Sequence, residues 1–207
     1  MSRPPQATSR VTRPRAARLG LLAATSALAV SGCTGGAVAA NSPANNGQSF
    51  VSGSAGTTVY RAGTGPVAPV VSGALVGGGR LSLAAYRGHV VVLNFWGSWC
   101  PPCRAEAPSL GQLNRQYSPS GVRFLGIDIR DSPATAEAFM SDFRISYPSL
   151  NDPSDNLALD FRDTVPPAGI PTTLVISRSG RITARVVGGV TYDGLKKLIQ
   201  RVVAEPG

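Results

Sequence analysis

The strongest constraint on this chain is a junction near its middle. His89 to Phe95 (HVVVLNF) is a nearly continuous, valine-rich apolar run, and Trp99-Cys100-Pro101-Pro102-Cys103 follows it almost at once. Such a run is what a central strand buried on both faces requires. From Cys103 to about Tyr117 the pattern turns helical. The two cysteines therefore lie between a buried strand and the start of a helix. Spaced i and i+3, they share one face of the first turn. If that turn is tight they are close enough for a disulfide.

The position determines the chemistry. The N-terminal end of a helix offers unpaired N–H groups and the positive end of its dipole, which favour a thiolate over a thiol. Pro101 and Pro102 remove N–H groups that a first turn leaves unpaired anyway, and they stiffen the loop. A thiolate placed there attacks a disulfide, forms a mixed disulfide and is released by the second thiol. Cys100, nearer the helix end and expected to be the more exposed, attacks; Cys103, one turn deeper, resolves. A zinc site would need two more ligands, and the only histidine, His89, lies at the far end of the strand. A c-type haem site would need His where Arg104 stands. A purely structural disulfide has little reason to sit there, flanked by Trp99 and prolines. No metal and no cofactor beyond the dithiol is expected.

The surrounding pattern supplies a sheet. Leu81-Ser82-Leu83 is a short alternating segment, and Val122 to Ile129 (VRFLGIDI) reads as a second strand. Ser132 is placed to cap a helix with Pro133 in its first turn, followed by Ala136, Phe139, Met140 and Phe143 at helical spacing. Thr172 to Ser177 is a third strand, and the turn Ser177–Gly180 leads into Arg181–Val187. Leu195, Leu198, Ile199, Val202 and Val203 mark one face of a last helix. The order βαβα, then a hairpin, then α, predicts an α/β fold with helices on both faces of the sheet.

The N-terminal third reads differently. Of the formal charge of +9, five arginines lie before residue 19, and no acid precedes Glu106. Without those five the balance is 15 basic against 11 acidic residues, so the basicity does not argue for nucleic acid. The arginine-rich start and the apolar stretch Leu19 to Val30 have the form of an export signal, too short to span a membrane as a stable helix. Val30-Ser31-Gly32-Cys33 resembles a bacterial lipobox, in which the cysteine sulfur carries a diacylglycerol. The expected organisation is a lipoprotein signal peptide over 1–32, a lipidated Cys33 with a flexible tether over 33–65, and a domain over 66–207. The tether composition implies a reach of about 30 Å, and Thr57–Tyr60 could add a short strand to the domain. The protein is then expected on the outer face of a bacterial cytoplasmic membrane, away from cytosolic thiol reductants.

The stretch Leu93-Asn94-Phe95-Trp96-Gly97-Ser98-Trp99-Cys100-Pro101-Pro102-Cys103-Arg104-Ala105-Glu106-Ala107-Pro108 resembles the active-site segment of TlpA/ResA-type membrane-tethered thioredoxins. The resemblance extends over about residues 66–205. It includes Tyr86-Arg87-Gly88 and the distant Gly169-Ile170-Pro171-Thr172. It implies a thioredoxin-like fold with a central mixed sheet, the TlpA/ResA-type inserted strand–helix segment and an N-terminal strand extension. It implies a cis Pro171 facing the cysteines and an Ile170 backbone that an extended substrate can pair with. Trp99, Pro101 and Pro102 then shape the substrate-binding surface. Many thioredoxins carry a buried Asp where this chain has Asn94, which cannot exchange a proton. The resemblance instead assigns a proton-handling role to Glu106, one helical turn after Cys103; the competing reading is a solvated surface Glu near Arg104. Pro108 matches the proline that kinks the family's active-site helix.

The function expected is extracytoplasmic thiol–disulfide exchange on exported proteins. Resemblance favours the reductive direction, with apocytochrome c as a candidate substrate and a CcdA-type membrane protein as a candidate electron donor. The alternative direction is disulfide donation, and tens of millivolts decide between the two. A peroxiredoxin-type peroxidase would need a Thr/Ser-x-x-Cys loop that Gly97-Ser98-Trp99-Cys100 lacks. A thiolate metal-binding lipoprotein, holding Cu(I) on two soft ligands, is the non-catalytic alternative. No segment reads as a dimerisation element, so a monomer is expected.

Overall fold

The computed structural model describes residues 50–52, 56–166 and 169–205. The expected signal peptide, Cys33 and the first part of the expected tether lie outside the described residues. Among the described residues no helix is long and apolar enough to cross a membrane.

The elements in chain order are strands β1 (Phe50–Ser52), β2 (Thr57–Tyr60), β3 (Ser72–Ala74), β4 (Arg80–Ser82) and β5 (Val90–Trp96), then helix α1 (Pro101–Tyr117). β6 (Val122–Ile129), α2 (Pro133–Asp142), β7 (Ser149–Asp152) and the single turn α3 (Asn156–Leu159) follow. β8 (Thr172–Ile176), β9 (Ile182–Val187) and α4 (Tyr192–Val203) complete the domain. Seven strands form one mixed sheet in the order β1-β2-β9-β8-β5-β6-β7. β5, β6 and β7 run parallel, while β8 and β9 are antiparallel to their neighbours. This is a thioredoxin-like α/β sheet, and β5 sits in its interior between β8 and β6.

Every residue of β5 is buried, because the sheet is covered on both faces. Val91, Leu93 and Phe95 join Leu125, Ile127, Phe161 and Leu174 in one core. Val90 and Val92 pack on the opposite face with Leu110 and Leu113 of α1 and Leu195, Ile199 and Val202 of α4. Trp96, at the end of β5, stacks on Phe139 of α2 at 4.7 Å between ring centroids. These two faces hold the C-terminal end of β5 rigidly, and the next residues carry the cysteines.

Sheet formation begins before Pro66. β2 pairs with β9, Val59 opposite Ala184, and β1 pairs with β2. Val59 and Tyr60 are buried. Part of the stretch expected as tether therefore belongs to the sheet. The physical reason is the free edge of β9, whose unpaired backbone groups an added strand satisfies. β7 and β3 are strands that periodicity did not mark, whereas β4 takes up part of the alternating Leu81–Leu83 segment.

Candidate active site

The site grows out of the end of β5. Cys100 is the N-cap of α1, and its Sγ accepts the Cys103 N–H at 3.2 Å. Pro101 and Pro102 occupy the first two helical positions, where no N–H is needed. The cysteines are joined in a disulfide with Cα atoms 5.3 Å apart. The exposure difference expected between them is absent: Cys100 is 3% exposed and Cys103 2%. In the oxidised state Trp96, Ala107 and Ile170 pack around both. What separates the two thiols is position, since Cys100 caps the helix and Cys103 lies inside it. Trp99, 50% exposed, and Pro101 and Pro102, both exposed, are the chain neighbours of Cys100 that reach solvent.

The Ile170–Pro171 peptide is cis. Ile170 packs against the cysteine cluster, and Thr172 Oγ1 donates back to the Gly169 carbonyl. The loop therefore packs beside the cysteine cluster through Ile170.

Glu106 is not a surface residue. It is 2% exposed, one turn beyond Cys103. Its Oε1 accepts Asn94 Nδ2 at 2.8 Å and its Oε2 accepts the Val190 N–H at 2.8 Å. Asn94 also donates to Thr173 Oγ1 at 3.1 Å. Burial pushes the Glu106 carboxyl up to about 7, and the Val190 and Asn94 hydrogen bonds restrain the rise. The same buried carboxyl helps hold the neighbouring Tyr147 phenol above its ordinary range, after burial itself. Asn94 cannot carry a proton, but it orients the group that can. Its neighbours Thr173 and Val190 were missed in the sequence. Their signal is tertiary: they come from β8 and from the loop before α4.

A model of the AhpC/TSA family matches residues 64–185. The chain belongs to the AhpC/TSA family, on its thioredoxin-like thiol–disulfide oxidoreductase branch. Within it, the chain is 35% identical over 118 residues to the thiol:disulfide interchange protein HelX of Rhodobacter capsulatus, covering 56% of this chain and 62% of HelX. It is 31% identical over 120 residues to the thiol-disulfide oxidoreductase ResA of Geobacillus thermodenitrificans, covering 58% and 67%. The chain thus spans about two thirds or less of these relatives' own length. A secreted thiol-disulfide isomerase from Corynebacterium glutamicum superposes with a TM-score of 0.69 at 29% identity, covering 76% of this chain and 98% of that one. In this AhpC/TSA domain the redox centre is the Cys100–Cys103 disulfide itself.

Proposed function

We propose that the protein is an extracytoplasmic thiol–disulfide oxidoreductase that reduces exported proteins, and that Cys33 anchors it by lipid to the outer face of the membrane. The observation that carries the reading is the Cys100–Cys103 disulfide at the start of α1, with Glu106 buried one turn further on.

In the reductive cycle the Cys100 thiolate, stabilised by the helix N-terminus, attacks one sulfur of a substrate disulfide. A Cys100–substrate disulfide forms and the other substrate sulfur leaves as thiolate. Cys103 then gives its proton to Glu106, which stands near half-ionisation at neutral pH. The Cys103 thiolate attacks Cys100 Sγ, the second substrate thiolate leaves, and the protein is left oxidised. A membrane reductant of the CcdA type would return the two electrons, and apocytochrome c is the substrate class that the TlpA/ResA resemblance favours. Ile170 would present backbone to the extended substrate beside Trp99, Pro101 and Pro102. Likeness to a secreted isomerase supports the second reading, in which the disulfide is donated or shuffled.

The reduction potential of the pair, measured on the full chain in detergent against glutathione buffers, tests the direction. A value near or below roughly −250 mV supports the reductant; one near −120 to −180 mV overturns it in favour of oxidase or isomerase. Absence of a reversible two-electron couple would remove the redox reading altogether.

A further inference from the structure

The loop Gly97-Ser98-Trp99, which carries Cys100, is fastened to the turn that follows β6. Asp131 takes both Ser98 hydrogens: the N–H reaches Oδ2 at 2.6 Å and the hydroxyl reaches Oδ1 at 2.7 Å. Trp99 Nε1 donates to the Ile129 carbonyl at 3.3 Å. Asp131 is itself buried, and behind it lies a second buried carboxyl, Asp128. Asp128 stands beside Trp96 in the β5–β6 register. Its Oδ2 accepts Asn151 Nδ2 at 2.8 Å, and Asn151 also donates to the Asp131 backbone carbonyl at 3.3 Å. No donor reaches Asp128 Oδ1, although the side chain is within hydrogen-bonding range of Asp131.

Two buried carboxyls in contact are stable only when one proton is shared between them. An Oδ1 that no other group donates to is where that proton belongs. We propose that Asp128 and Asp131 form a carboxyl pair that positions the loop bearing Cys100, Asp131 by clamping Ser98 and Asp128 by supplying the shared proton. Neither residue touches the reacting sulfurs in this arrangement; both act through Ser98 and Trp99. The neighbouring charges do not neutralise the pair. Asp152, at the end of β7, adds negative charge and is occupied by the Ala158 N–H. Arg130 is paired with Asp155 at 2.6 Å. Arg104 of α1 donates to the Ser98 carbonyl and lies over Phe139 and Phe143. Among the described residues no cation donates to either carboxyl. Burial and Asp131 hold the Asp128 carboxyl up to about 8, so the pair carries its proton at neutral pH. Above that pH the second charge forms beside Asp131 and pushes the clamp apart.

The test uses the full chain in detergent, oxidised, between pH 6 and 10. Tryptophan fluorescence, read with Trp96→Phe throughout because Trp96 stands beside Asp128, follows Trp99, and the rate of disulfide reduction by a phosphine follows access to the bond. Each rate is divided by that of Asp128→Asn at the same pH, which cancels ionisation of the reagent. Asn at 128 keeps a donor toward Asp131 and an acceptor for Asn151 but cannot ionise. The expected result is a fluorescence step near pH 8 in the wild type that Asp128→Asn lacks. A rate ratio flat below about pH 7 and changed several-fold above pH 8 should accompany it. Glu106→Gln must retain the step, which separates this pair from the carboxyl beside Cys103. Ser98→Ala, at a partly exposed position, removes only the hydroxyl bond; it should change the rate about tenfold, as loss of a charge-assisted bond does, and do nothing further in an Asp131→Asn background. Parallel wild-type and Asp128→Asn profiles, or equal and additive effects of Ser98→Ala and Asp131→Asn, would overturn the proposal. The inference rests on Cys100 and Cys103 being the reacting pair. The fluorescence arm does not need redox cycling, so failure of that reading and failure of this one are distinguishable.

Discussion

Replacing Glu106 by Gln isolates the energetic cost of burying an ionisable group next to the dithiol. The folded protein holds this carboxyl at about 7, against an ordinary value of 4.5. Between those values the native state keeps a proton that the unfolded chain releases. Unfolding is then accompanied by proton loss, so stability falls as pH rises through the window, and it is fully present only below about pH 4.5. The rise corresponds to roughly 3 kcal/mol lost by pH 8. Gln cannot ionise and escapes that loss. It can accept only one of the two hydrogen bonds from Asn94 and Val190 without placing its amide against a donor, which costs about 1 kcal/mol at every pH. The difference between wild type and E106Q should therefore change by roughly 2.5 kcal/mol between pH 5 and pH 8, in favour of the variant, because part of the loss has already occurred by pH 5. Asp128 is also held high, but it titrates in both proteins and cancels. Urea unfolding of the oxidised chain at the two pH values measures this directly. Parallel pH dependence of the two proteins would refute the reasoning, because it would mean that Glu106 is already solvated and ionised in the native state.

Other consequences follow from neighbouring contacts. Cys103→Ser should accumulate a mixed disulfide through Cys100 with a disulfide-bearing peptide, visible by mass spectrometry without reductant, whereas Cys100→Ser should give none. Asn94→Ala removes a hydrogen bond that lowers the Glu106 carboxyl. Its titration, followed by the carboxyl carbon signal in NMR, should move above that of the wild type. Gly126→Ala places a methyl against Ser149 Oγ and 2.6 Å from Trp96 Nε1; it should cost about 1–3 kcal/mol and lower the thermal midpoint by several degrees.

The parts of the fold that periodicity could reach are those whose patterns are long and one-sided. β6 has the expected bounds, Val122–Ile129, and Ser132 caps α2 through its hydroxyl to the Thr135 N–H. Both signals are local. β7 was not marked because four residues, Ser149-Leu150-Asn151-Asp152, contain a single apolar side chain. Its burial is imposed by parallel pairing with β6, which no local window contains. The same holds for β1, which pairs with β2; the short strand expected at Thr57–Tyr60 is β2, and it takes its place on the free edge of β9. α1 runs unbroken through Pro108 to Tyr117, held by packing on both α4 and the sheet.

The site divides along the same line. Cys100, Cys103, Pro101 and Pro102 could be read from spacing, because a helix N-terminus acts on residues within one turn of itself. Pro171 and Glu106 needed the family resemblance, and even that left open whether Glu106 faced solvent. The answer comes from residues far away in sequence: Val190 reaches Glu106 across 84 positions, and Thr173 shares Asn94 across 79. Those contacts exist because β8 lies beside β5 and because the loop after β9 returns over α1. The Ser98–Asp131 clamp depends likewise on β6 lying on the other side of β5. Sequence thus specifies the thiols that react, whereas the order of strands in the sheet decides which carboxyl is buried beside them and which one fixes their loop. A relative that kept the Cys-Pro-Pro-Cys motif but changed the residues at 94, 98 or 131 should keep the reaction and alter its pH dependence.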